Sequence, residues 1–208
     1  TRIFWPLYPD PVGVGSVFII DPLYSIPLLI VVIYAHCKKN WTSRLRNWVA
    51  GALIATTAYM GLSVVLQQYV QGQARLAFQA EGSEPEAVYA IAAPFNILLW
   101  KVIGLEEDRY ENLYYSLLDG PGAPEIYEHP RHPELAACLS DTPAFQKLEW
   151  FSRGFFRTEL VGDKIIVSDL RMGLTPGYAF RFAIGELNDD GIQPIEPQRD
   201  TGLGRIDA

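Results

Sequence analysis

The sequence is poor in the residues from which metal and nucleophile sites are usually built. Its 208 residues include two cysteines and three histidines. Cys37 and Cys138 offer neither a disulfide framework nor a zinc-ligand spacing, and a metal centre would have to manage with few imidazoles. There is no H-E-x-x-H, no phosphate loop ending in Gly-Lys-Ser/Thr, no G-x-S-x-G elbow and no C-x-x-C. Gly13-Val-Gly15 lacks the third glycine of a dinucleotide loop and reads as a flexible bend. Nor does a basic start lead into a short apolar core, so nothing in these residues resembles a cleavable signal.

Charge is missing in a pattern. Between Asn47 and Ala74 there is no charged residue, and between Pro11 and Cys37 Asp21 stands alone. From Arg75 onward the chain carries 12 basic and 22 acidic residues, a net of −10, whereas residues 1–74 carry five basic and two acidic, a net of +3. An acidic domain of this kind argues against nucleic acid as a partner, since binding phosphates needs a cationic footprint.

The apolar runs predict two transmembrane helices, at about 17–37 and 48–70, within a membrane region covering residues 1–74. A span needs roughly 20 helical residues. The second run supplies that with margin, and its small residues Gly51/Ala55 and Thr57/Gly61 recur four apart, a pattern that marks close helix packing. In the first run, Asp21-Pro22 reads as a helix start, with the carboxylate capping free amides and proline at the first helical position. From Pro22 to Cys37 that helix is short for a full span and is expected to bend at Pro27. The loop Lys38-Lys-Asn-Trp-Thr-Ser-Arg-Leu-Arg46 holds four cations and no acid. By the positive-inside rule it lies in the cytoplasm, which puts the acidic domain outside and Cys37 and Cys138 on opposite sides of the membrane. Asn40-Trp-Thr42 spells a glycosylation acceptor, meaningless on a cytoplasmic loop.

Residues 75–187 read as an extracytoplasmic, strand-rich domain. Residues 74–90 are expected to be a membrane-exit helix and a loop broken at Gly82 and Pro85. Hairpins are predicted from 97–103 with 110–117 and from 155–160 with 164–170, followed by a strand over 178–184 that turns Tyr178, Phe180, Phe182 and Ile184 to one face and Arg181 to the other. An amphipathic helix over 143–153, with Phe145, Leu148, Trp150 and Phe151 on one side, would cover the sheet, and a shorter helix is expected around 134–139. Residues 188–208 read as a loose polar tail. The predicted class is an α+β membrane protein: two transmembrane helices, then a mainly antiparallel sheet with one or two covering helices.

Asp21 is the candidate site residue, because a carboxylate in an apolar run must face a partner, water or a metal; the competing role is a helix cap at the interface. Glu128-His-Pro-Arg-His132 brings two imidazoles and a carboxylate together in a proline-rich loop, a spacing that fits no standard metal motif. Glu106-Glu-Asp108 reads as a solvated hairpin tip. Arg171 and Arg181 are expected to pair within the sheet, with Asp169 or Glu186.

Six stretches carry a resemblance: Phe18-Ile-Ile-Asp-Pro-Leu-Tyr24 with Pro27-Leu28, Ala93 to Val102, Tyr114 to Asp119, Leu148 to Phe151, Asp169 to Gly173, and Tyr178 to Phe182. In this order and spacing, over about residues 1–186, the chain resembles the membrane-bound metal-dependent hydrolases of the YdjM type, found in the bacterial inner membrane. The resemblance implies a hydrolase, a divalent metal such as zinc or manganese, and Asp21 as metal ligand or catalytic base. The family's His- and Asp-bearing helices would lie upstream of Thr1, so most metal ligands are expected outside this chain. The start at Thr1 rather than Met fits a fragment or processed form, and further transmembrane helices are expected before it. The alternative is a non-enzymatic, membrane-anchored binding module.

Overall fold

The computed structural model describes residues 6–7, 13–38, 40–119, 124–175, 177–189 and 191–202. Lys39 of the cationic loop and residues 203–208 of the expected tail lie outside them. The chain is α+β, with mainly antiparallel sheet and, among the described residues, one helix long and apolar enough to cross a membrane.

The chain divides into two compact units. The first comprises residues up to Gly82 together with Tyr89–Val102 and Tyr114–Glu125. Its helix α1, Pro22–Cys37, is one continuous helix through Pro27. At 16 residues it is about 24 Å long, short of a perpendicular span. Helix α2 runs Ser43–Ala80, capped at its start by the Thr42 hydroxyl, which accepts the Leu45 amide. It outruns the expected 48–70 at both ends. Upstream the cap draws the helix back to Ser43, and downstream nothing breaks it before Gly82, whose φ of +81° suits a residue without Cβ. Its 38 residues make about 57 Å, so a ~30 Å hydrocarbon core would take only the first half.

Four strands follow: β1 (Ala87–Ala92), β2 (Leu99–Leu105), β3 (Arg109–Ser116) and β4 (Ile126–Pro130), a sheet in the order β1-β2-β3-β4. The β2–β3 pair is the first expected hairpin. β1 and β4 fall where the sequence suggested loops: Ala-Val-Tyr-Ala-Ile-Ala alternates weakly because alanine contributes little contrast, and β4 is proline-flanked. In the first unit the turn after β1 is held by Asn96, whose side-chain oxygen accepts the amides of Leu98 and Leu99, and Trp100 is fully buried with its indole N–H donating to Ile97 O at 2.9 Å.

The second unit comprises Ser83–Val88, Ile103–Leu113 and the chain from Ile126 onward. Its sheet has the order β10-β9-β6-β5, from β5 (Phe156–Val161), β6 (Lys164–Asp169), β9 (Arg181–Asn188) and β10 (Gly191–Arg199); β7 (Gly173–Leu174) and β8 (Gly177–Tyr178) form a small separate hairpin. The β5–β6 register runs Phe156↔Asp169 to Val161↔Lys164 around a tight turn with Gly162 at φ +67°. Helices α3 (Glu134–Ala137) and α4 (Pro143–Ser152) cover this sheet. Ala136, Leu139 and Phe145 pack with Phe156, Ile165, Val167 and Ile184 into one core, the Phe145 and Phe156 rings meeting edge to face at 5.4 Å. Truncating Phe145 there would cost about 3–5 kcal/mol.

Three expectations need correction here. The face of α4 that is covered is Phe145–Leu148–Ser152, so Trp150 and Phe151 point outward, at 49% and 41% exposure. The strand over 178–184 is broken between Tyr178 and Arg181, and Arg181 is 1% exposed rather than outward-facing. The loose tail is instead the edge strand β10, bulged between Pro194 and Gln198. Arg181 explains both: its guanidinium pairs with Glu159 on β5 and with Asp200 just past β10, each at 2.7 Å, and Arg157 pairs with Glu159 at 2.7 Å. A buried cation needs such partners, and satisfying it draws the polar C-terminal segment onto the sheet. Arg171 pairs with Asp169 as expected, its Nε and Nη2 at 3.0 and 2.8 Å from the two carboxylate oxygens.

Candidate functional site around Asp21

Asp21 is 2% exposed and stands immediately before α1. One carboxylate oxygen accepts the backbone amides of Leu23, at 2.9 Å, and Tyr24, at 3.3 Å. The other accepts the Tyr59 hydroxyl of α2 at 2.7 Å. The carboxylate is therefore both an N-cap and an inter-helix tie. Pro22 at the first helical position lacks an N–H, so the cap serves the next two amides, which have no partner within the helix.

Half-buried Tyr59 begins a stripe of polar groups that runs along α2 at four-residue spacing and continues in the buried Ser63 and Gln67. The Ser63 hydroxyl donates to Met60 O at 2.7 Å and lies 3.0 Å from the Ser16 hydroxyl. Gln67, 1% exposed, donates from Nε2 to Val14 O at 2.8 Å and to Ala90 O of β1 at 2.7 Å. The Tyr89 hydroxyl also donates to Val14 O. Toward the C-terminus the same face becomes apolar, with Val70, Ala74 and Phe78 fully buried. The stripe thus pins residues 14–21 along α2. Its sequence signal is Tyr59, Ser63 and Gln67 at i, i+4 and i+8 in a charge-free run, a different line from Gly51/Ala55 and Thr57/Gly61.

The segment Gly13-Val-Gly15, expected to be a flexible bend, is part of this arrangement. Gly15 has φ +73°, and a Cβ there would run into the Tyr89 hydroxyl. The glycine is needed because the backbone here and the Tyr89 hydroxyl approach so closely.

Chemically, the arrangement holds a carboxylate rather than frees it. Three of the four lone-pair positions of the Asp21 carboxylate accept protein donors. His36 is in the last turn of α1, about 22 Å along the helix from Asp21. Among the described residues no group of three or more His, Cys, Asp and Glu side chains could hold a metal ion. The described residues do not by themselves assemble a metal centre.

The Glu128–His132 cluster is not assembled as a site. Its first three residues belong to β4, where the His129 ring stacks on Tyr110 at 5.2 Å, while His132, at φ +53°, contacts Glu134 at 3.0 Å. Between them Arg131 acts as a clasp. It donates to Phe156 O, Glu106 O and Gly154 O, lies 4.8 Å from the Phe156 ring, and burial holds its pKa below the usual guanidinium value. Of the acidic turn, Glu107 and Asp108 are exposed as expected, but Glu106 is tied to Arg109 at 2.8 Å and to the Ser83 hydroxyl at 2.7 Å.

No protein-family model, curated protein or solved structure matches this chain.

Proposed function

We propose that the chain is a membrane-anchored protein of the bacterial inner membrane. Helices α1 and α2 form a hairpin in the bilayer, and the strand-rich remainder stands on the extracytoplasmic side. The observation that carries this reading is the surface of the helices. No residue of α1 is buried, and Leu23, Leu29, Ile30, Val32 and Ile33 are each more than half exposed, as are Trp48, Leu53, Ile54 and Val65 of α2. Such a continuous apolar surface needs lipid or protein around it, not water. Nearby in the same unit Ile19, Ile20, Phe95 and Leu118 are also more than half exposed, which suits the interface where helices leave the bilayer.

In this reading the chain serves a membrane-bound metal-dependent hydrolase of the YdjM type, with a divalent metal held mainly by helices upstream of Thr1. The role of Asp21 here is to fix where α1 begins and how it meets α2. No catalytic step is assigned to it.

The engagement of three Asp21 lone pairs favours a second reading, a non-enzymatic module that presents the sheet domain to a partner at the envelope. One preparation separates the two. A form including the upstream helices, purified in detergent, is assayed for bound zinc and manganese before and after Asp21→Asn. Stoichiometric metal supports the hydrolase, and its loss on Asp21→Asn would make the carboxylate a ligand. A metal-free, folded protein supports the binding module. Extraction by alkaline carbonate without detergent would overturn the membrane anchor on which both rest.

A further inference from the structure

A groove of about 750 Å³ runs between α1 and α2 at the end carrying the cationic loop. Its walls are apolar: Pro27, Ile30 and Val31 on one side, and Trp48, Gly51 and Ala55 on the other. Gly51 contributes no side chain, and a Cβ there would meet nothing within 4 Å, so the hairpin itself leaves this space open. The mouth is different. Ser43, Arg44 and Asn47 line it, all exposed, and α2 has no acidic residue in its first turn.

We infer that this groove is a binding site for an anionic glycerophospholipid of the cytoplasmic leaflet, with its acyl chain against Gly51 and Ala55 and its phosphate at Arg44. The inference rests on the membrane reading proposed above. Two observations choose the occupant. From Arg44 to Ala55 the groove extends about 16 Å along α2, half of a ~30 Å hydrocarbon core, which is the depth of one leaflet. A packed transmembrane helix would need a groove through both leaflets. The polar end also has the right charge. Arg44 lines it and no Asp or Glu occurs between residues 38 and 46, and such basic pockets between helices on the cytoplasmic side suit anionic headgroups. Asn47 and the Ser43 hydroxyl add donors for phosphate oxygens.

The test is native mass spectrometry of the detergent-purified chain, offered phosphatidylglycerol and phosphatidylcholine of equal chain length. The wild type is expected to retain phosphatidylglycerol about fivefold better, the ratio one arginine near a membrane surface provides. Arg44→Gln should abolish that preference while leaving lipid bound. Gly51→Leu should remove retention of both lipids, and Gly61→Leu, beyond the groove with equally open space at its Cβ, should leave it unchanged. Equal retention of the two lipids by the wild type would overturn the inference, as would full retention by Gly51→Leu. So would a cysteine-free background carrying Gly51→Cys that forms disulfide-linked dimers in membranes, because a second copy would then fill the groove. Each outcome is read on protein already shown to need detergent for extraction, so failure of the lipid site is distinct from failure of the membrane anchor.

Discussion

Replacing Asp21 separates a structural carboxylate from a reactive one. Asp21→Ala removes the N-cap of α1, worth about 1 kcal/mol, and the charge-assisted bond from Tyr59, worth about 1.5–3 kcal/mol. Together the loss is about 3 kcal/mol. Asp21→Asn keeps a side-chain oxygen for the Leu23 and Tyr24 amides, since Asn caps as well as Asp. It exchanges the charged acceptor at Tyr59 for a neutral one and should cost about 1 kcal/mol. For a chain of this size each kcal/mol moves Tm by roughly 2–4 °C, so the alanine protein should melt about 6–12 °C below wild type and the asparagine protein about 2–4 °C below. Tyr59→Phe breaks the same tie from the other side. The Asp21→Ala/Tyr59→Phe double mutant should therefore lose about 1–2 kcal/mol less than the two single changes summed. The assay is thermal unfolding in detergent, followed by tryptophan fluorescence. Equal damage from Asn and Ala, or strict additivity with Tyr59→Phe, would refute the cap-and-tie role.

Three further outcomes follow from the second unit and from the glycines. The Ser83 hydroxyl lies 2.7 Å from both a Glu106 oxygen and a Glu111 oxygen, yet has one proton to give, and burial raises the Glu111 carboxyl above its ordinary range. A raised acid pKa means stability present below the ordinary carboxylate value and lost as pH rises through the raised one; Glu111→Gln should flatten the fall of Tm as pH rises above the ordinary carboxylate range, and an unchanged slope would reject the raised Glu111 pKa. Arg181→Ala leaves Glu159 with Arg157 alone and removes the cation from Asp200, so it should cost about 1.5–3 kcal/mol and raise hydrogen exchange along β10; a Tm within 2 °C of wild type would mean that the pairs are dispensable. Gly15→Ala should destabilise by about 1–3 kcal/mol through positive φ and collision with Tyr89, whereas Gly61→Ala, helical with open space, should stabilise by up to about 1 kcal/mol, and opposite signs in thermal unfolding would contradict both.

What could be read from the sequence was what depends on local pattern. Asp21-Pro22 announced the start of α1, Gly82 stopped α2, and the alternation around residues 106–108 and 162–163 marked the two hairpins. These signals are local because caps, breakers and turns act within a few residues. The parts that were hidden depend on partners far along the chain. β1 is alanine-rich and acquires its burial from Gln67 and its neighbouring strand, not from its own alternation. β10 looks like a polar tail until Arg181 and Asp200 are seen together. The tie between Asp21 and Tyr59 spans 38 residues, so the sequence could name the carboxylate but not its donor. The Gly51/Ala55 line was visible in the sequence as a packing surface. The structure adds that α1 leaves it open and that Arg44 stands at its mouth.

The anchor and its orientation can be measured with the two native thiols, both of which are exposed. Spheroplasts are treated with a membrane-impermeant maleimide before or after lysis, and the modified peptides are identified by mass spectrometry. Labelling of Cys138 in intact spheroplasts, with Cys37 modified only after lysis, is the predicted result. Modification of Cys37 before lysis, or protection of Cys138 until lysis, would contradict a hairpin whose cationic turn lies in the cytoplasm.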